Sequence, residues 1–427
     1  MLNKIIKKFI WNSVIQPYRH HLLRFLSSKP NKNFQNLTSK YLILGDKRAQ
    51  IFFGYHDKTP FSLDNNRVLS MRAEVNGRDP HSECAPIELG IFELDDEMKP
   101  SQFKPLATTT TWCWQQGCML QWDPLVAQNQ FYFNDIVNLR YGSKLYSISE
   151  QKIIRELPFP IYAISPNGEQ ALTLNFARLG RLRPGYGYGL LPDNTSHDPA
   201  PAGDGLFLAD LESGECKLIV DLATIANSVE SEETSQHYIN HPSFSPDGTS
   251  IIFYHIWTLP GVNQRKIHLI HYDVATTAIQ TLEESRVPSH YAWQDDAHLL
   301  VTTRDYHMKW HFTTYHVKTA RRLDLDLAFQ EDGHPMFHPT NNILIVSDSY
   351  PDKRRDQHLY VADISSGDIR EVGAWYSPFG FRGQPRCDLH PRWDRRGEAL
   401  IIDTPYSGRR QMVIILVNSA IRNRDTI

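Results

Sequence analysis

The stretch His241-Pro-Ser-Phe-Ser-Pro-Asp-Gly248, followed by the β-branched and aromatic run of residues 250–255, reads as a strand, a tight turn and a hairpin partner. Pro246 presets φ, the Asp247 carboxylate folds back onto its own backbone, and Gly248 takes the left-handed position. With Phe244 as the anchor, similar segments recur at Phe61 (Pro-Phe-Ser-Leu-Asp), Trp122 (Gln-Trp-Asp-Pro), Ile164 (Ile-Ser-Pro-Asn-Gly), Trp293 (Ala-Trp-Gln-Asp-Asp), Phe337 (Met-Phe-His-Pro) and Trp393 (Arg-Trp-Asp-Arg-Arg-Gly). The seven anchors mostly stand near the roughly 40 to 50 residues apart that a four-stranded propeller blade requires. The reading is an all-β fold, a seven-bladed β-propeller over residues 41–418. A sandwich array or a solenoid does not produce self-similar hairpins of this length along the whole chain.

The composition is that of an ordinary globular protein: 427 residues, 41% hydrophobic and 22% charged, with 45 Lys and Arg against 48 Asp and Glu. It excludes disordered, collagen-like and membrane-spanning classes. A net charge of -3 also speaks for no nucleic acid as partner, since such a domain would be basic. Cys84, Cys113, Cys118, Cys216 and Cys387 lack the dense, regular spacing of a disulfide scaffold and read as reduced thiols.

The last blade offers strands at residues 399–403 and 412–417 and little more, so residues 41–44 are expected to add its outer strand and cover the open edge. Residues 1–40 differ in kind, with eight Lys or Arg and no acid. Leu2, Ile5, Ile6, Phe9, Ile10, Val14 and Ile15 recur near a helical period before Pro17, and Leu22, Leu23, Phe25 and Leu26 follow it. Short basic amphipathic helices are expected here. They either pack beneath the propeller or, through residues 1–26, lie on an anionic membrane surface. No apolar run suits a signal-peptide core or a span, so the expected location is cytoplasmic, peripheral to the inner membrane in the second case. Residues 419–427 read as a tail.

The interval between Ile164 and Phe244 is about 30 residues longer than a blade needs. Its excess, residues 178–205, holds Arg178, Arg181, Arg183 and the run Gly185-Tyr-Gly-Tyr-Gly189, and reads as a long loop over one face. In the four blades after it the residue three before the anchor is histidine: His241, His290, His334 and His390. Chance places about 0.3 His across seven equivalent slots. The slot opens each innermost strand, and these openings converge at one end of the central channel. Converging imidazoles bind a divalent metal, donate to a carboxylate, or abstract protons. Each also has a plain alternative as a hydrogen-bond donor to the next blade's turn.

Cys387, Asp388 and His390 share one stretch, Arg386-Cys-Asp-Leu-His-Pro-Arg-Trp393. Cys387 with His290, His334 and His390 would form a mixed sulfur and nitrogen site suited to zinc, whereas an oxygen and nitrogen set would suit manganese. Lys58 occupies the histidine slot of the first blade, with His56 just ahead of it. Trp112, Trp114 and Trp122 are either propeller core or platforms for sugar rings. Arg178, Arg181, Arg183, Arg382, Arg386 and Arg392 bias the region towards carboxylate, sulfate or phosphate groups.

These residues resemble the seven-bladed propellers that act on uronic-acid polysaccharides, the oligogalacturonate and ulvan lyases, and more distantly the repeats of TolB. Residues 54–61, 112–122, 174–188 and 386–393 look closest to ulvan-lyase-like members associated with bacterial polysaccharide loci. The resemblance implies an acidic oligo- or polysaccharide as partner and β-elimination as reaction. A cation neutralises the uronate carboxylate, a base removes the C5 proton, and an acid protonates the leaving oxygen. On that pattern Arg183 or the metal quenches, His56 or His241 is the base, and Tyr186 or Tyr188 is the acid. Lys58, Trp114, Gln116, Arg178 and Arg386 would hold the saccharide.

One departure stands out. Active ulvan-type members carry a catalytic His near the place where this chain has Gln115 and Gln116, and an amide cannot take a proton. Unless His56 or a channel histidine substitutes, the protein would bind a saccharide without cleaving it. The alternatives are then a non-catalytic carbohydrate-binding propeller in polysaccharide biosynthesis, or a rim that recruits a protein.

Overall fold

The computed structural model describes residues 38–75, 85–258, 265–328 and 331–417. Seven four-stranded antiparallel sheets form seven blades. From the inner strand outwards they are β2(Gln50–Phe52), β3(Arg67–Ala73), β4(Ile87–Glu93), β5(Lys104–Thr109); β6(Gln121–Trp122), β7(Gln130–Val137), β8(Arg140–Ser147), β9(Lys152–Leu157); and β10(Ala163–Ile164), β11(Gln170–Thr173), β12(Gly205–Asp210), β13(Cys216–Asp221). Next come β14(His237–Phe244), β15(Ser250–Thr258), β16(Arg265–Asp273), β17(Ile279–Glu283), then β18(Val287–Trp293), β19(His298–Arg304), β20(Trp310–His316), β21(Arg321–Asp324), and β22(Met336–His338), β23(Asn341–Asp348), β24(Asp356–Asp363), β25(Ile369–Tyr376). The seventh blade is β26(Arg392–Trp393), β27(Ala399–Thr404), β28(Gln411–Val417) and, outermost, β1(Thr38–Leu44).

The expected clasp is β1, whose Tyr41 to Leu44 pair with Ile415 to Met412. Pairing begins at Thr38 with Val417, so residues 38–40, assigned to the extension by their charge pattern, belong to the propeller. The expected amphipathic helices, the C-terminal tail and Cys84 lie outside the described residues. Among the described residues, Cys113, Cys118, Cys216 and Cys387 form no disulfide. Among the described residues, no helix is long and apolar enough to cross a membrane.

Second strands are covered on both faces by neighbouring blades, so β15 is an almost unbroken buried run, whereas the outermost β21 is exposed throughout. The turn that revealed the repeat forms as its residues require. Ser245 N–H donates to Ser250 O at 2.8 Å, Asp247 Oδ1 accepts from Thr249 N at 3.0 Å, and Gly248 has φ 74°. The anchor aromatics stitch inner strands together: Trp122 Nε1 donates to Pro60 O of the first blade at 2.8 Å, and Trp293 Nε1 to Ser243 Oγ of the fourth at 3.0 Å.

The long insertion joins the second and third strands of its blade, and inner strands and these connections share one end of the channel. It is not loop throughout. Helix α1(Phe176–Leu182) opens it, capped by Asn175, whose side chain accepts from Arg178 N. Gly187 lets the returning chain press onto this helix, since a Cβ there would lie 2.2 Å from Gly180 N. A short helix, α2(Leu222–Ala226), follows β13.

Candidate active site and metal centre at the channel mouth

The histidine slot is a place where the inner strand breaks register. Pairing of β14 with β15 skips between Asn240 and Ser243, and pairing of β18 with β19 between Pro288 and Tyr291. In blades four and five the slot therefore lies at a bulge inside the inner strand rather than at its opening. A bulge re-aims its side chain. His241 and His390 have φ of 52° and 44°, left-handed values that turn the residue off the sheet. His334 and His390 stand just ahead of β22 and β26.

The first blade contributes by a different route. After β2 the chain bows away and returns to pairing at Phe61 with Val68. The bow is pinned by buried Asp403, which accepts from Phe53 N at 3.2 Å and Gly54 N at 3.3 Å. Arg392, paired with Asp403 at 3.3 Å, donates to the Tyr55 and Gly54 carbonyls at 2.9 and 2.6 Å. Tyr55 and His56 are thereby carried among the histidines.

The rings converge. Centroids are 4.0 Å apart for His290 and His334, 4.4 Å for His334 and His390, and 5.2 Å for His56 and His334. Tyr55 stacks on His241 at 4.7 Å and lies 5.0 Å from His390. In four rings Nδ1 meets an oxygen acceptor: His56 with Pro335 O (3.2 Å), His290 with Asp332 (3.1 Å), His334 with Asp348 (2.8 Å) and His390 with Gly54 O (2.6 Å). In the neutral ring that places the proton on Nδ1 and leaves the lone pair on Nε2. Burial, then neighbouring histidines, hold His56 and His390 well below the usual imidazole range. Burial also pushes His334 down, but the carboxylates of Asp348, Asp388 and Asp332, with Asp348 foremost, together outweigh it and raise the group.

His334, Asp388 and His390 each offer a ligand atom within 4.8 Å of the others. The Nε2 atoms of His334 and His390 are buried without a hydrogen-bond partner. Against the upward push of burial, Arg386 and His334 hold the Asp388 carboxyl below the ordinary range, so it is ionised. Two imidazole lone pairs and a carboxylate fit a divalent cation, and this oxygen and nitrogen set suits manganese better than a thiolate site would. Cys387 takes no part in the cluster: its Sγ lies 3.9 Å from Asp388 O, and burial pushes the thiol up to about 12.

The insertion roofs the mouth. Gln115 N donates to Gly185 O at 3.0 Å, and Arg386, held to Asp388 at 2.6 Å, donates to Tyr186 OH at 2.6 Å. The Arg183 guanidinium rests 3.8 Å from the Tyr186 ring centroid, and Tyr186 meets the His241 ring edge at 5.9 Å. Arg183 has no carboxylate in ion-pair range among the described residues. Gln116 Nε2 lies 2.5 Å from Tyr162 OH and 3.3 Å from His241 Nδ1, with its Oε1 unpaired. Burial, then Arg183, holds His241 well below its usual value.

Other candidates lie elsewhere. Trp112, Trp114 and Trp122 are buried core, and Trp114 is stacked beneath Arg410. Tyr188 stacks on Phe176 at 4.5 Å and bonds Asn134, inside the core. Arg178, 1% exposed, spends its guanidinium on the His237, Asp198 and Pro199 carbonyls and Thr195, so it ties down the insertion. Lys58, by contrast, stays beside the cluster: it is paired with Asp57 at 2.6 Å, and its Nζ lies 5.3 Å from the Tyr162 ring centroid. Sequence reasoning missed Tyr55, Tyr162, Asp332, Asp348 and Tyr350, whose ring is 5.8 Å from His334. Each of two second strands carries an aspartate at or next to its last residue, Asp348 of β23 and Asp403 of β27, and this is a signal that the sequence offers.

No protein-family model matches the chain, and no curated protein sequence matches it. Among solved structures, it is similar to an oligogalacturonate lyase in complex with manganese, with a TM-score of 0.64 and 13% identity over 89% of this chain and 94% of that one. An oligogalacturonate lyase from Vibrio parahaemolyticus gives a TM-score of 0.61 and 12% identity over the same shares. TolB from Acinetobacter baumannii gives 0.37 and 13%, over 94% of this chain and 70% of that one. At these identities the likeness is one of fold: the chain is a seven-bladed propeller of the architecture that the two lyases share.

Proposed function

We propose that the protein binds uronate-containing oligosaccharides at the roofed end of its channel and cleaves them by β-elimination. The observation that carries this reading is Arg183, a cation without a carboxylate partner among the described residues, set beside Tyr186 and within the field of His241. A C5 proton becomes removable only when the adjoining carboxylate charge is quenched, and a guanidinium fork matches that carboxylate. Turned over from the orientation described above, the Gln116 amide would present its oxygen instead of its Nε2 to His241 Nδ1, and this would leave the lone pair of the His241 Nε2 to accept a proton. Substrate charge against Arg183 would cancel one of the two main influences that weaken His241 as a base. Burial holds the Tyr55 phenol well above its usual range, so it keeps its proton at neutral pH, as a donor to the leaving oxygen must. A divalent cation held by His334, Asp388 and His390 would add positive charge for the same carboxylate. The neighbours named for oligogalacturonate support the choice of substrate class.

A second reading, saccharide binding without cleavage, as a propeller of polysaccharide biosynthesis would need, is supported by one observation: Gln116 turns its Nε2 to His241 Nδ1, and donation from this amide would keep the ring proton on the His241 Nε2. Incubation with oligogalacturonides and manganese separates the two. Elimination raises absorbance near 235 nm, and Arg183→Ala should abolish the rise. Calorimetric binding with flat absorbance would select the second reading, and no binding across a panel of uronate oligomers would overturn both.

A further inference from the structure

We infer that residues 377–386, between blades six and seven, form a second saccharide subsite in which Arg382 takes the carboxylate of a uronate next to the one held at the mouth. The inference rests on the acidic-saccharide reading above and adds that the ligand is an oligomer whose length the protein measures.

The segment is tied down from beneath. Arg355 Nε donates to Ser377 O at 3.0 Å and its Nη2 to Phe381 O at 3.2 Å. Gln115 Nε2 donates to the carbonyls of Gln384 and Arg386, both at 2.8 Å, and Arg410 Nη2 to those of Pro385 and Arg386, at 3.1 and 2.7 Å. Two turns shape it, closed by Phe381 N to Pro378 O at 2.9 Å and Arg386 N to Gly383 O at 3.3 Å. A segment held this way has little freedom left to lose on binding.

On it stands an exposed cation. The Arg382 guanidinium lies 4.2 Å from the centroid of the Phe379 ring, and Arg355 approaches the same ring at 5.9 Å. Stacking on an aromatic face orients the planar fork while leaving its N–H edge for a bidentate carboxylate. Among the described residues Arg382 has no carboxylate in ion-pair range, and Arg355 beside it adds positive field. Four residues further along, Arg386 touches Asp388 and Tyr186 at the mouth. That length of chain spans at most about 14 Å, and the turn at Gly383 shortens it, so one oligosaccharide reaches both places.

The test is titration calorimetry of the full chain and of Arg382→Ala with galacturonate and with trigalacturonate, with melting temperature as the control for folding. Loss of the fork should weaken the trimer about tenfold, ~1.4 kcal/mol, and leave the monomer unchanged. Equal trimer affinity in both proteins, or equal affinity of the unsubstituted protein for monomer and trimer, would overturn the subsite while leaving the mouth reading standing. If the unsubstituted protein binds neither sugar, the functional reading falls and takes the subsite with it.

Discussion

Asp348→Asn tests whether the histidine cluster is organised around one buried carboxylate. Asp348 is fully buried. Its Oδ1 accepts from both His334 N and His334 Nδ1 at 2.8 Å, and its Oδ2 from His390 N at 3.0 Å. An asparagine of the same shape keeps one acceptor oxygen. With that oxygen on His334, its NH2 group meets the His390 N–H donor to donor, which strands a buried polar group at a cost of about 1–3 kcal/mol. The loss also strips His334 of the charge that raises its basicity, and a carboxylate behind a metal-binding imidazole typically contributes 10- to 100-fold in affinity, about 1.4–2.7 kcal/mol. Urea unfolding of the metal-free protein should show the first effect, and manganese titration by calorimetry the second. Weakened folding with unchanged manganese affinity would refute the idea that Asp348 aims the ligands. Failure of the unsubstituted protein to take up manganese would remove the metal from the site altogether.

Asp403→Ala should destabilise the fold by about 3–5 kcal/mol, because it leaves Arg392 charged, buried and without its carboxylate, and it frees the bow that carries Tyr55 and His56. Equilibrium unfolding in urea measures it, and a loss below about 1 kcal/mol would count against the pinning role. His358 carries the pH prediction. The Asp352 carboxylate 3.8 Å from its Nε2, together with the Glu371 carboxylate hydrogen-bonded to its Nδ1 at 2.8 Å, raises it to about 9. A folded-state value above the unfolded one means that the contribution is complete below about pH 6.5 and disappears as pH rises through about 9. Its size is at most about 3 kcal/mol, and His358→Gln should remove this slope from the stability profile, whereas an unchanged slope would show that His358 does not supply it.

The repeat was legible because a tight turn after an anchor residue and a following aromatic or β-branched strand are local chemistry, and every blade needs some version of them. The convergence of His241, His290, His334 and His390 was legible from topology, since equivalent slots of successive blades meet at the axis, although bulges and left-handed backbone aim the rings. What escaped was set by irregular backbone. Tyr55 enters the mouth beside the expected His56 because the first inner strand bows, and no periodicity announces a bow. Cys387 and Asp388 are neighbours in sequence, yet the non-strand chain there carries the carboxylate into the cluster and the thiol away from it. Arg178 looked like a substrate ligand because its role depends on carbonyls supplied by residues 195–199 and 237, which become its neighbours only after the insertion folds back.

The joint between β1 and β28 sets the order in which the ring is completed. Thr38 finds Val417 only after the six intervening blades have left the ribosome, so those blades must stack with one radial seam still open. Until then β28 exposes the hydrogen-bonding edge that β1 later covers, and a second nascent chain offering its own residues 38–44 would fit it equally well. Exchange of this first strand between two copies is thus the misassembly to which the topology is most open, and holding translation products dilute is the condition that favours the closed monomer.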